Sequence, residues 1–290
     1  MFLQSLVTGL AVGGIYALMA VGYSLVFSIL NFSNFAHGSV IMLGAYAGYF
    51  MLTLAKAPFW LAVLGSMVFA ALIAMINEMT AYRQLRLRGA RPLYFMISAM
   101  GVSILLENLV YATLGAHFYA YPQILEQETV DLFGASIGWL DLFAIGFSAT
   151  AITLLDQFIK KTKAGMAIRA ASYDMTVASV FGVNINRLIS LVFLLAGALA
   201  GLSGVYLGMK YMAYPTMGWI TNKAYIAAVI GGLGSLPGAV IGGVLLGLLE
   251  TMVSTYLSSI IRDVFSFSIL VIFLLIMPSG LLGRYVEEKI

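Results

Sequence analysis

The sequence predicts an all-α fold: a polytopic transmembrane helical bundle of about eight or nine membrane segments, with broken or re-entrant elements among them. Three observations carry this. The 290-residue chain is 62% hydrophobic and 9% charged, where an average soluble domain is about 25% charged, and its mean hydropathy is +1.00. Its apolar residues fall into runs long enough for a membrane helix, which takes about 20 residues. Its basic residues collect in short loops between those runs, as the positive-inside rule describes.

The runs fall at 6–30, 39–55, 59–81, 93–118, 139–159, 189–209, 224–260 and 264–283. The 224–260 run is too long for one ordinary span. Gly231-Gly232-Leu233-Gly234-Ser235-Leu236-Pro237-Gly238 interrupts it, which predicts a half-helix followed by a full helix. Met1 to Ala11 carries no Lys or Arg, whereas a secretory signal needs a positive start. The first run is therefore expected to be a retained helix with its N-terminus translocated.

The loops orient the remainder. Residues 82–92 hold Arg83, Arg86, Arg88 and Arg91, and residues 160–188 hold Lys160, Lys161, Lys163, Arg169 and Arg187 against Asp174. Both belong on the cytoplasmic side. Residues 119–138 hold Glu126, Glu128 and Asp131 without a base and belong outside, while Arg284 and Lys289 fall inside by parity. Lys210 and Lys223 then lie on the outer side, a mild violation. Residues 1–290 thus form a single transmembrane domain with one long cytoplasmic loop at about 160–188. The net charge of +3 and pI near 9.0 express this topology rather than nucleic-acid binding. The absence of cysteine excludes disulfides and thiolate metal sites.

Asn31-Phe32-Ser33-Asn34-Phe35-Ala36-His37-Gly38 interrupts the apolar stretch between residues 6 and 55. Broken backbone at membrane depth is tolerated only against protein or a water-filled cavity. Asn31, Asn34, His37 and Gly38 are accordingly candidates to line a solute path, as are Ser235 and Gly238 in the second break. His37 stays open between a hydrogen-bonded structural role and a pathway role, and no metal site is expected. The glycine-rich break is no phosphate loop, since no G-K-[ST] follows; it is either a flexible element beside a pore or a tight turn between packed helices. Gly38-Ser39-Val40-Ile41 returns as Gly238-Ala239-Val240-Ile241. Paired breaks of this kind suggest an internal duplication, with chance similarity of small and β-branched residues as the competing account.

Residues 166–181 read as one helix ending at Gly182, a natural C-terminal cap. Met166, Ala170, Val177 and Phe181 share one face at helical spacing. Such a helix suits either a groove in a partner protein or the membrane surface. Glu78, Glu107 and Glu250 lie within or beside apolar runs, where acids are costly and functional by default. For Glu78 an ion pair with nearby Arg83 is expected; Glu107 and Glu250 are open between a polar path and interhelical hydrogen bonding. The sequence has no HExxH, G-x-S-x-G or cysteine nucleophile, so no catalytic residue and no enzyme activity is expected. The chain also lacks an ATP site, so active transport would need an ATPase partner or an ion gradient.

Several of these segments resemble the permeases of branched-chain amino acid ABC transporters. The stretch Gly13 to Phe27 looks like that family's first helix, and Asn34-Phe35-Ala36-His37-Gly38 matches its N-F-A-H-G element. Glu78 with Tyr82-Arg83-Gln84-Leu85-Arg86 resembles an E-x-x-x-Y-R-x-L-R boundary, and Gly232 to Ala239 resembles a G-G-x-G-S-x-x-G-A element. The loop from Gly165 through Arg169, Ala170, Asp174, Ala178 and Gly182 looks like the segment that docks on the ATPase. Asn31-Phe32-Ser33 and Glu107 depart from the pattern and could shift substrate choice.

The resemblance implies one permease subunit of an importer in a bacterial or archaeal cytoplasmic (inner) membrane. Its partners would be a second permease, identical or homologous, two cytoplasmic ATPases that carry the ATP, and an external solute-binding protein. No cofactor is expected in this chain. Permeases for urea and short amides share the family, and a stand-alone secondary transporter or channel for a small polar solute is the rival class.

Overall fold

The computed structural model describes residues 2–122, 129–132 and 135–283. The helices in order are α1 (Phe2–Leu30), α2 (His37–Thr53), α3 (Phe59–Asn77), a π-helical turn (Glu78–Tyr82), α4 (Arg83–Leu87), α5 (Pro92–Leu114), α6 (Trp139–Lys161), α7 (Lys163–Tyr173), α8 (Met175–Val180), α9 (Ile185–Tyr211), a 3-10 turn (Pro215–Ile220), α10 (Thr221–Gly231), α11 (Leu236–Tyr256) and α12 (Ile261–Ile276). Among the described residues, six helical stretches are long and apolar enough to cross a membrane: Phe2–Leu30, Phe59–Leu87, Pro92–Leu114, Trp139–Lys161, Ile185–Tyr211 and Leu236–Tyr256.

The all-α expectation needs one correction. β1 (Thr129–Leu132) and β2 (Ala135–Gly138) form an antiparallel hairpin with Val130 opposite Ile137. Alternating apolar residues over so short a stretch favour a strand pair, and the expectation for 119–138 considered only its acids. Glu126, Glu128, Arg284 and Lys289 lie outside the described residues, as does the side chain of Asp131.

The chain divides into two compact units. The first comprises Met1–Ser24, Ile124–Thr150 and Asn222–Ile290; the second comprises Leu25–Gln123 and Ala151–Thr221. In the first unit, glycines bring α1 and α11 close. A Cβ on Gly13 would sit 2.9 Å from the Val244 Cα, and one on Gly247 would collide with the Gly13 backbone. In lipid, where hydrophobic burial between helices gives little, such close backbone contact is what packing energy comes from.

The second unit is built on α9 lying across α2 and α3. Here too the seam is small: a Cβ on Gly197 would meet the Ala71 Cα at 2.7 Å, and one on Gly201 the Met67 Cα at 2.7 Å. The Ser66 hydroxyl, fully buried, can donate to the Gly44 carbonyl (2.7 Å) or the Gly201 carbonyl (3.1 Å) at the point where the three helices meet.

Several boundaries differ from the sequence expectation; the 264–283 run is helical only over Ile261–Ile276. The 59–81 run continues to Leu87 as one helix through the π turn. The 166–181 helix is two helices, parted at Asp174. That residue leaves helical geometry (φ −157°, ψ 113°), and its carboxylate accepts the Thr176 and Val177 N–H groups at 2.7 and 3.0 Å. An aspartate that caps a new helix in this way competes with continuation of the old one; apolar spacing alone had predicted continuity.

Candidate functional site

The break at 31–38 belongs to the second unit. Asn31 ends α1 with φ 50° and is exposed; asparagine tolerates this left-handed geometry better than most residues. Asn34 is buried. Its carbonyl accepts the His37 N–H (3.1 Å) and its side-chain oxygen accepts the Tyr82 hydroxyl (3.0 Å). His37 is buried at the first residue of α2. Gly38 is required by close approach, because a Cβ there would run into the Gly218 carbonyl and the Thr221 hydroxyl.

The second break, in the first unit, has a similar logic. Ser235 caps α11, its hydroxyl accepting the Gly238 N–H at 3.2 Å. Gly238 faces Gly231 so closely that a Cβ on either would strike the other's backbone. Gly232 (φ 109°) and Gly234 (φ 80°) make the turn, which only glycine takes without strain. The Leu281 and Leu282 N–H groups donate to the Ile230 and Gly231 carbonyls at 2.9 Å each, so the end of α10 is satisfied by the segment after α12.

Glu250, 1% exposed, forms the polar centre of the first unit. Tyr16 donates to it at 2.8 Å, and Lys223 and Ser266 also contact the carboxylate. Lys223 donates further to Asp263 at 2.9 Å. Lys223 is therefore no topological exception: its charge is buried against an acid inside the protein. Tyr16, Asp263 and Ser266 escaped the sequence reading, and Lys223 entered it only as an exception of topology. The available signal was a lysine and a glutamate in one apolar stretch, each costly alone.

In the second unit Glu78 is wholly buried and compensated twice. Arg83 grips it with Nε (3.2 Å) and Nη2 (2.7 Å), Arg86 approaches at 3.2 Å, and the Ser190 hydroxyl donates at 2.9 Å. The expected Glu78–Arg83 pair is present; Arg86 and Ser190 were not anticipated. Glu107 lies half-buried on α5, whose Leu93, Ile97, Met100, Ile104 and Leu105 are all exposed.

The loop residues divide into support and surface. Gly165 is buried tightly against the backbone of Phe158 and Ile159, and the Arg169 guanidinium donates to the Ile159 carbonyl. Ala178 is buried, while Ala170, Asp174 and Gly182 (φ 86°) are exposed. The Val177 N–H foremost, with that of Thr176, holds the Asp174 carboxyl below the usual carboxylate range. Met166, Tyr173, Val177, Val180 and Phe181 are all exposed, the last two by 80% and 83%. No cluster of three or more metal-ligating side chains occurs among the described residues.

Apolar helices of membrane length, each unit centred on a buried and internally neutralised carboxylate, define a polytopic membrane protein. The family model for the permease component of branched-chain amino acid transport systems matches residues 5–276, and the chain belongs to that family.

The high-affinity branched-chain amino acid transport system permease protein LivH of Escherichia coli K12 is 38% identical, covering 100% of this chain and 98% of that protein. Its counterpart BraD of Pseudomonas aeruginosa is 37% identical with the same coverage. A probable branched-chain amino acid transport permease protein LivH of Methanocaldococcus jannaschii is 27% identical over 92% of this chain and 88% of its own. Among solved structures, PsaBC from Streptococcus pneumoniae in complex with Fab matches with TM-score 0.52 and 15% identity, covering 96% of this chain and 92% of that one; it speaks to the fold alone. The chain is a permease of the branched-chain amino acid transport family.

Proposed function

We propose that this chain is the membrane subunit of an ATP-driven importer that moves branched-chain amino acids across a bacterial or archaeal cytoplasmic membrane. The substrate class follows from its family and from relatives such as LivH and BraD. The observation that carries the ATP-driven part is the apolar face of α7 and α8. Five large apolar side chains are exposed on a loop rich in cationic residues, where the positive-inside rule puts the cytosol. Such a face suits a groove on a partner, and two cytoplasmic ATPase subunits are the partners this reading assigns. ATP binds there, not on this chain, which acts as a carrier and not as an enzyme.

Nine membrane segments give the required parity: α1, α2, α3 with α4, α5, α6, α9, α10 with the 3-10 turn before it, α11 and α12. The paired breaks before α2 and α11 are the trace of two duplicated halves. A second permease, identical or homologous, encloses the path with this one, and an external binding protein delivers the solute. Asn34, His37 and Gly38, with exposed Asn31 beside them, are the path residues of the second unit, and Ser235 and Gly238 are those of the first. Glu107 lies within the α5 span, half-buried on a helix that exposes Leu93, Ile97, Met100, Ile104 and Leu105 and, beside them, Asn108 and Thr113. A charge facing lipid at that depth costs about 3 kcal/mol or more, so the Glu107 side of α5 faces the partner permease and the solute, whose ammonium a carboxylate suits. Glu250 is saturated by its own partners and holds the first unit together instead.

The test is purification from the native host followed by reconstitution. ATPase subunits should accompany the chain, and leucine uptake should require ATP and the binding protein. Full-rate uptake by the isolated chain overturns the reading.

A further inference from the structure

Tyr82 and Glu78 occupy the two ends of the π turn, and each faces a different part of the second unit. Glu78 faces the start of α9. Besides its own bond to Ser190, its two arginines reach the same helix: Arg83 Nη2 lies 2.6 Å from the Ser190 Oγ, and Arg86 Nη2 lies 2.7 Å from the Asn186 Oδ1. Tyr82 faces the break before α2. Its hydroxyl donates to Asn34, and its ring packs between Phe32 and Phe193 with centroid separations of 5.3 and 5.5 Å. Asn186, Ser190 and Phe193 recur at the spacing of one helix face, so the turn grips a single stripe of α9. That helix begins at Ile185, three residues after Gly182 closes the α7–α8 loop.

We propose that the π turn Glu78–Tyr82 is the relay that carries movement of the cytoplasmic loop to the break at 31–38, with Glu78 and Tyr82 as its positioning residues. The inference rests on the permease reading above. Displacement of α7 and α8 by the ATPases moves the first turns of α9. Ser190, bonded to both Glu78 and Arg83, and exposed Asn186, bonded to Arg86, tie this turn of α9 to the Glu78 cluster, so displacement of one carries the other. The π turn is where the helix can yield. The Arg83 N–H donates to the Glu78 carbonyl across five residues, and π turns recur at functional positions in otherwise α-helical segments. Returning this turn to α winding rotates α4 by about 100° relative to α3. Tyr82 turns with it and takes the Asn34 side chain along, and with Asn34 the first residue of α2, whose N–H the Asn34 carbonyl accepts.

Replacing Glu78 outright would leave two arginines unmatched and the fold in doubt, so milder substitutions carry the test. Tyr82→Phe keeps the ring and removes only the hydroxyl; Ser190→Ala removes one bond at the other end. In the ATPase-loaded complex in proteoliposomes, both variants should assemble and keep basal ATP hydrolysis. Leucine moved per ATP hydrolysed should fall about threefold or more in each, the scale of one lost hydrogen bond. The double variant should fall no further than the weaker-transporting single one, since both cut the same chain. Wild-type ratios in both single variants, or losses that multiply in the double, overturn the relay. ATP-dependent uptake by the wild-type complex in the same assay separates the relay from the permease reading beneath it: if that control takes up nothing, the permease reading falls and the relay with it.

Discussion

Two buried carboxylates, Glu78 and Glu250, solve one problem by opposite routes. Each is essentially inaccessible to solvent and each must be neutralised. Glu78 finds both cations within eight residues on its own continuous helix and adds Ser190 from α9. Glu250 takes its cation from Lys223, 27 residues earlier on α10, and a hydroxyl from Tyr16, 234 residues away on α1. The first site has local redundancy. The second is a single long-range joint, and Lys223 in it serves two acids, Glu250 and Asp263.

The contrast is sharpest when a cation is removed. Lys223→Ala removes the cation bonded to buried Glu250, and should cost about 3–5 kcal/mol of stability, read as early thermal unfolding of the detergent-purified protein. Arg83→Ala leaves Arg86 beside Glu78 and should cost less, about 1–3 kcal/mol. If the two variants unfold together, redundancy does not protect Glu78 and the comparison breaks. Exchanging the whole Lys223–Glu250 pair for Met and Leu should recover most of what Lys223→Ala loses, since well-packed apolar replacements of a buried pair are often neutral. A double variant as weak as the single one would show that the pair itself, not the stranded acid, holds the first unit together.

Tyr16→Phe comes next, at about 1.5–3 kcal/mol for a lost hydrogen bond to a charged group, with the same thermal measurement. The smallest effect is at Asp174, on the surface. Because its folded carboxyl titrates below the ordinary range, through bonds from the Val177 and Thr176 N–H groups, its cap is fully in place above the unfolded value of about 4. The cap fades only as pH falls through the lower folded value. Asp174→Ala should therefore lower the hydrogen-exchange protection factors of the α8 amides at pH 7, and acid should lower them in the unmodified protein once the slower intrinsic exchange at low pH is divided out.

The same contrast explains how much could be read from the sequence. Span positions follow from hydropathy, and 59–81, 93–118 and 139–159 each meet a long helix near their expected bounds. The Glu78–Arg83 pair was readable because both residues sit on one short stretch at helical separation. Lys223 read as an oddity of orientation because its partner lies on another helix, and spacing along one segment cannot register that. At Asp174 two signals competed: apolar periodicity favoured one helix, while the aspartate followed by Thr and Val offered a cap, and the cap prevailed. Gly38 and Gly238 were visible as breaks. That each is also a point of backbone contact, with Gly218 and Gly231 respectively, depends on tertiary packing, which a break in periodicity does not encode.

The Lys223–Glu250 joint also bears on how the protein is made. A lysine entering hydrocarbon alone costs about 3 kcal/mol on insertion scales, and its counter-charge leaves the ribosome 27 residues later. Helix α10 therefore gains a stable place in the bilayer only once α11 has emerged. The two should leave the translocon as one hairpin, so nascent chains halted between them would be held at the channel or withdrawn from the membrane.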